Sequence, residues 1–161
     1  MNLPSVQRTL DVVALGEALI EFNQTHPHPP NYLQGFGGDT SNAVVAAARA
    51  GARCAYLTLL GDDRWADALT RLWQQEGVAL DGVRRISGQR TGLYFVHHDD
   101  RGHHFSYARA GSAASLMTPS DLKVGWLNLV AQSHWLHVSG ISMAISESAR
   151  DTVLEAMRQA R

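Results

Sequence analysis

Cysteine is almost missing from this 161-residue sequence, where Cys54 stands alone. A single thiol excludes an internal disulfide framework and a cysteine-based zinc cluster, so a reducing compartment is expected. An excess of charge of one sign is missing too. With 14 Lys and Arg against 15 Asp and Glu, the chain has no field to gather nucleic acid or an anionic membrane, and neither is expected as a partner. No stretch approaches the ~20 consecutive apolar residues of a membrane-spanning helix. Met1–Leu10 lacks the apolar core of a secretory leader, and a cytoplasmic location is the expectation. Two phosphate-binding signatures are absent as well. Gly-x-x-x-x-Gly-Lys-Ser/Thr occurs nowhere, and the nearest approach to a dinucleotide fingerprint, Gly35-Phe36-Gly37-Gly38-Asp39-Thr40, has Thr40 where the third glycine belongs.

What is present reads as strands alternating with helices. Val12–Leu15 is a short apolar run closed by Gly16, the pattern of a strand buried on both faces, and Cys54–Leu60 is a second. Asn42–Ala50 is a helix of small residues, with Thr40 or Ser41 placed to cap it and Gly51 to end it. Arg64–Gln75 is an amphipathic helix with Trp65, Leu69, Leu72 and Trp73 on one side, closed by Gly77, and Val83–Ile86 is a short strand. Met117–Leu122 reads as a helical turn begun at Thr118-Pro119. Trp135–Gly140 reads as a third buried strand, and the last helix, from Ser146 to about Gln159, puts Val153, Leu154 and Met157 on one face.

Other segments break the alternation. Prolines 27, 29 and 30 make Thr25–Asn31 a loop. Residues 92–98 and 103–109 alternate around Asp99-Asp100-Arg101-Gly102 and predict a β-hairpin. The whole is therefore expected to be an α/β domain, a parallel sheet wrapped by helices, with the hairpin and residues 32–38 forming a small separate sheet over one end.

Gly37-Gly38-Asp39-Thr40-Ser41-Asn42 is the first candidate site. Glycines admit close approach to the backbone, a helix start offers unpaired amides, and Asp39 and Asn42 supply acceptors and a donor, a set suited to a polyhydroxylated ligand. A tight turn before a capped helix explains the same residues. On the hairpin, Tyr107 and Arg109 project from one face and one hairpin register brings Tyr94 near them, an arrangement able to stack on a sugar and clamp a carboxylate. A surface ribbon with ordinary aromatic cross-strand pairs explains the same residues, and spacing alone favours it. The tip carries His97, His98, His103 and His104 beside Asp99 and Asp100; such a set can bind zinc or nickel, yet exposed turns carry these residues freely. Cys54, inside an apolar strand, reads as a small core residue.

Gly16-Glu17-Ala18-Leu19-Ile20-Glu21, Gly35–Asn42 with its alanine-rich helix, and Leu60-Gly61-Asp62-Asp63 together resemble the amino-terminal signature of PfkB (ribokinase-like) carbohydrate kinases. Thr91-Gly92-Leu93-Tyr94, the run Tyr107–Ala113 and Ser139-Gly140-Ile141-Ser142 are similar to the 2-keto-3-deoxygluconate kinases of that family, and the likeness spans residues 12–161. The resemblance implies a three-layer α/β/α sheet, incomplete here, with lid segments at about 18–38 and 86–110. It implies that Gly37, Gly38, Asp39 and Asn42 hold sugar hydroxyls, that Tyr94, Tyr107 and Arg109 grip a keto-acid end, and that a homodimer forms through the lid. ATP and Mg2+ would serve the intact enzyme, with no cofactor or metal bound by this part alone. In the family the catalytic aspartate, the anion hole and the ATP pocket lie in the carboxy-terminal half, so no catalytic residue is assigned here and the isolated chain is expected to be inactive. A ribokinase or fructokinase specificity, or a non-catalytic sugar-binding or dimerisation fragment, remains the alternative.

Overall fold

The computed structural model describes residues 8–28 and 30–160. Two sheets carry the fold. The first is fully parallel and built from β1 (Leu10–Leu15), β4 (Cys54–Gly61), β5 (Val83–Ile86) and β8 (Ser133–His137), in the order β5-β4-β1-β8. The second contains β2 (Leu19–Pro27), β3 (Pro30–Gly37), β6 (Gly92–Asp99) and β7 (Gly102–Ala108), in the order β3-β2-β6-β7. Val13, Ala14, Leu15 and residues 54–61 are buried, as an inner strand pair with helices on both faces requires.

Alternate residues of those strands feed two cores. On one face, Ala14, Tyr56 and Leu60 pack with Val44 of α1 (Asp39–Arg49) and with Leu69 and Trp73 of α2 (Arg64–Gln75). On the other, Val13, Leu15, Leu57 and Leu59 meet Met117, Leu122 and Trp126, together with Ala149, Val153 and Ala156 of α6 (Glu147–Gln159). Between β7 and β8 the chain runs through α3 (Pro119–Asp121), a break at Val124–Gly125, and α4 (Leu127–Ala131). A short α5 (Gly140–Ala144) follows β8. The architecture is thus α/β/α with a second sheet.

Several expectations change. Thr25–Asn31 is not simply a loop: β2 and β3 run on into it with Pro27 paired opposite Pro30, because β3 is an edge strand that tolerates proline, and Pro29 lies outside the described residues. Neither Thr40 nor Ser41 caps α1. The N-cap is Gly38, and both hydroxyls turn into the core, where Thr40 Oγ1 lies 2.9 Å from the Tyr56 hydroxyl and Trp73 Nε1 donates to Ser41 Oγ at 3.0 Å. The third strand starts earlier, at Ser133, and it is not buried. Within the described sheet β8 is an edge, and Trp135 is 72% exposed. On α6 the inward face is Ala149, Thr152, Val153 and Ala156, while Leu154 and Met157 are exposed. α4 and α5 carry no strong periodic signal and were not anticipated. Gly51, with φ +92°, does end α1 at a left-handed position, and Cys54 is a buried free thiol whose pKa is pushed up by burial.

Candidate functional site

In the parallel sheet the chain passes from β1 outward to β4 and β5, then returns to place β8 on β1's other side. The connections leave β1 and β8 toward opposite ends of the strand order, so a crevice opens beyond the carboxyl ends of these two strands, the usual location of ligands in open α/β sheets. Glu17 and Leu19 follow β1 into that crevice, and Ile141 and Ser142 follow β8. Gly38 and Asp39 arrive from the start of α1. Tyr94, Phe105, Tyr107 and Arg109 come down from the second sheet, and together these residues enclose a cavity of about 170 Å3.

Gly38 is fixed at this point by two physical requirements. Its φ is +100°, and a Cβ there would collide with the Glu17 carbonyl oxygen and lie 2.9 Å from Ala18 Cα. Gly37 has a different reason. A Cβ on it would meet the Tyr94 ring at 2.5 Å, so its absence lets the tyrosine lie flat along the backbone. Asp39 occupies the first turn of α1, and its Oδ1 accepts from the Thr40 amide at 2.9 Å.

The hairpin register pairs Tyr94 directly with Tyr107. Their rings stack at 5.9 Å, Phe105 continues the stack 6.4 Å from each, and the Arg109 guanidinium lies 5.8 Å from the centre of the Tyr107 ring. The Tyr94 hydroxyl donates to the Glu21 carboxylate; burial first, then this acceptor, push its pKa well above the usual tyrosine range.

The structure brings five of the seven residues singled out from the sequence, Gly38, Asp39, Tyr94, Tyr107 and Arg109, around one cavity. Gly37 lies under Tyr94 rather than on the cavity wall, and Asn42 is exposed and does not line it. Glu17, outside the seven residues singled out from the sequence, also lines the cavity. It is 3% exposed, accepts a hydrogen bond from Ser112 Oγ to its Oε1 at 2.5 Å, and forms an ion pair with Arg109 through Oε2. A glutamate inside an otherwise apolar run, directly after a strand-closing glycine, was the available signal.

The tip histidines are each engaged by a neighbour. His98 Nε2 lies 2.8 Å from Asn23 Oδ1, His98 and His103 face each other through Nδ1 at 2.7 Å, and His104 Nε2 lies 2.9 Å from Asp99. Among the described residues no group of three or more histidine, cysteine or carboxylate side chains is arranged to hold a metal ion. A larger depression of about 480 Å3 between α3 and α6 shares no residue with the cavity and is an open surface of mixed charge, with Lys123, Asp151, Glu155 and Arg158 on its rim. No helix of the described residues is long and apolar enough to cross a membrane.

Comparison with known proteins identifies the family. Residues 3–161 match the family described as pfkB family carbohydrate kinase. The chain is 34% identical over 159 residues to a 2-dehydro-3-deoxygluconokinase of Thermoproteus tenax, with 94% of this chain and 48% of the relative covered. It is 33% identical over 156 residues to a fructokinase of Solanum tuberosum, covering 93% of this chain and 48% of that protein. Among solved structures, a fructokinase with bound ATP from Xylella fastidiosa superposes with a TM-score of 0.83 at 30% identity, over 92% of this chain and 45% of that one. The chain spans about half the length of the curated relatives it matches. A glycine turn at the sheet's switch point, a second sheet closing over it and a match running over nearly every residue lead to one conclusion: the chain belongs to the pfkB family of carbohydrate kinases.

Proposed function

We propose that this chain is the substrate-recognising part of an acid-sugar kinase, which transfers the γ-phosphoryl group of ATP to the 6-hydroxyl of 2-keto-3-deoxygluconate. The observation that carries this reading is the position of Arg109, whose guanidinium stands at the rim of the sugar-sized cavity among stacked aromatic rings. Guanidinium binds a carboxylate through paired hydrogen bonds, and a neutral ribose or fructose offers it no charged partner. Asp39 and the backbone at Gly38 suit hydroxyl groups at the other side of the cavity, and Tyr94 and Tyr107 suit the apolar face of a sugar ring.

Kinases of this family use ATP, and one relative is seen with it bound. The cavity itself does not suit a nucleoside triphosphate: it is small, and it sets the carboxylates of Glu17 and Asp39 against the single cation Arg109. This chain's share of the reaction is therefore to bind and orient the sugar and to cover it, and Mg2+ in the whole enzyme would supply neutralisation of the phosphate charge.

The lid sheet also supplies a surface for a second copy of the chain. Leu33, Asn23, Val96 and Phe105 form one row across all four strands, and Leu33 and Phe105 at its ends are exposed. A homodimer in which two lids cover each other buries that row.

An Arg109→Ala variant of the full-length enzyme, assayed by coupled ATP consumption, tests the substrate assignment. Activity at limiting acid sugar should fall roughly 100-fold, the loss of a charge-assisted pair. Activity on fructose, where present, should stay level. Unchanged activity on the acid sugar would favour a ribokinase or fructokinase specificity.

A further inference from the structure

In the ligand-free pocket, Arg109 is already engaged by a carboxylate. Glu17 sits below it, almost completely buried, with Oε1 held by the Ser112 hydroxyl and Oε2 against the guanidinium. The recorded contact of Oε2 is with Nη2 alone, so the guanidinium keeps its other N–H groups for a second acceptor. The charge around this pair is lopsided. Asp39 faces Glu17 from the start of α1, Arg109 faces it from the segment after β7, and Tyr56 of β4, Tyr94 of β6 and Tyr107 of β7 complete the titratable groups nearby. One cation therefore stands among two carboxylates before any substrate arrives.

A carboxylated sugar would bring a third negative charge into a space closed to water on the Glu17 side. Three carboxylates around one guanidinium in a buried setting cannot all stay ionised at low cost. Of the two protein carboxylates, Glu17 is the one whose surroundings favour the neutral acid: burial pushes its pKa up, against the opposing effects of Ser112 and Arg109.

We infer that Glu17 governs which sugars this pocket accepts, holding Arg109 neutralised toward uncharged sugars and taking up one proton when a sugar carboxylate claims the guanidinium. The inference rests on the acid-sugar reading above. In the exchange, Glu17 Oε2 gains a proton from solvent, Ser112 keeps its hydrogen bond to Oε1, and the guanidinium turns its charge to the ligand. No covalent bond is made or broken. Glu17 acts through Arg109 and is a positioning residue.

Linkage fixes the sign. If the complex binds one proton more than the free protein, affinity for the acid sugar falls as pH rises, by up to about tenfold per pH unit across the window between Glu17's free and liganded pKa values. That window lies above the ordinary glutamate range, because the free value is already raised. Neutral sugars should show no such slope.

Titration calorimetry of the full-length protein with 2-keto-3-deoxygluconate and with fructose tests this. Buffers of low and high ionisation enthalpy are compared at a series of pH values from the ordinary glutamate range upward. Expected for the wild type is uptake of a substantial fraction of one proton with the acid sugar and none with fructose. Glu17→Gln, which keeps the shape and removes the titration, should bind the acid sugar with no uptake and a flat pH profile. Ser112→Ala gives a second route if Glu17→Gln folds poorly. Loss of its hydroxyl leaves Glu17 more protonated beforehand, so uptake should shrink. Tight acid-sugar binding without uptake, or uptake unchanged in both variants, overturns the role of Glu17 and leaves the substrate reading standing. Fructose binding with no acid-sugar binding in any of the three proteins overturns the substrate reading, and this inference with it.

Discussion

The cavity's floor and its roof are held in place by different physics. The floor, made of Glu17, Gly38, Asp39 and Ser142, belongs to the α/β layers, and its supports are buried: Thr40 bonded to Tyr56, Ser41 to Trp73, and Gly38 pressed against the backbone of Glu17 and Ala18. The roof, made of Tyr94, Phe105, Tyr107 and Arg109, stands on a hairpin whose second strand is exposed along its whole length, with Phe105 56% and Tyr107 59% exposed. Its order comes from stacking between neighbours and from single polar contacts to Glu21 and Glu17. The difference separates two kinds of mutational effect: a change in the floor's buried supports should register as lost stability, and a change in the roof as lost binding.

Gly38→Ala should break the floor most severely. The new side chain faces both a positive φ and a collision with the Glu17 carbonyl, and a loss on the order of 3 kcal/mol is expected in denaturant unfolding. Wild-type stability in this variant would show that the turn relaxes and that the floor is not rigid. Trp73→Phe is a milder test of the same side. It removes the indole N–H from buried Ser41 and part of the packing against Tyr56, for about 1–2 kcal/mol of stability. Tyr107→Ala sharpens the contrast from the roof. Stability should change by less than about 0.5 kcal/mol, while sugar affinity measured by calorimetry should weaken roughly fivefold from the lost stacking face. A large loss of stability in Tyr107→Ala would mean that the lid is part of the core and that the division is wrong.

Local patterns in the sequence reveal the roof better than the floor. The hairpin's alternation and turn are contained within about twenty residues, so both strands follow from neighbours alone, and the register that pairs Tyr94 with Tyr107 comes from the structure. Floor residues depend on partners far along the chain. Thr40 and Ser41 look like caps because the sequence does not show that Tyr56 and Trp73 compete for their hydroxyls, and Glu17 is only the residue after a strand-closing glycine until Arg109 and Ser112 arrive 92 and 95 residues later. Trp135 shows the same limit. An apolar run predicts a buried strand, but burial also requires a neighbour on each side, and β8 has only β1 among the described strands. The crevice itself is a property of strand order, which no local pattern contains.

A crystal structure of the protein with 2-keto-3-deoxygluconate bound tests the central claim most directly. The account places the ligand's carboxylate within hydrogen-bonding distance of the Arg109 guanidinium, its ring face against Tyr94 and Tyr107, and its hydroxyls toward Gly38 and Asp39. A sugar bound in the reverse orientation, or outside the space between the glycine turn and the hairpin, would contradict it.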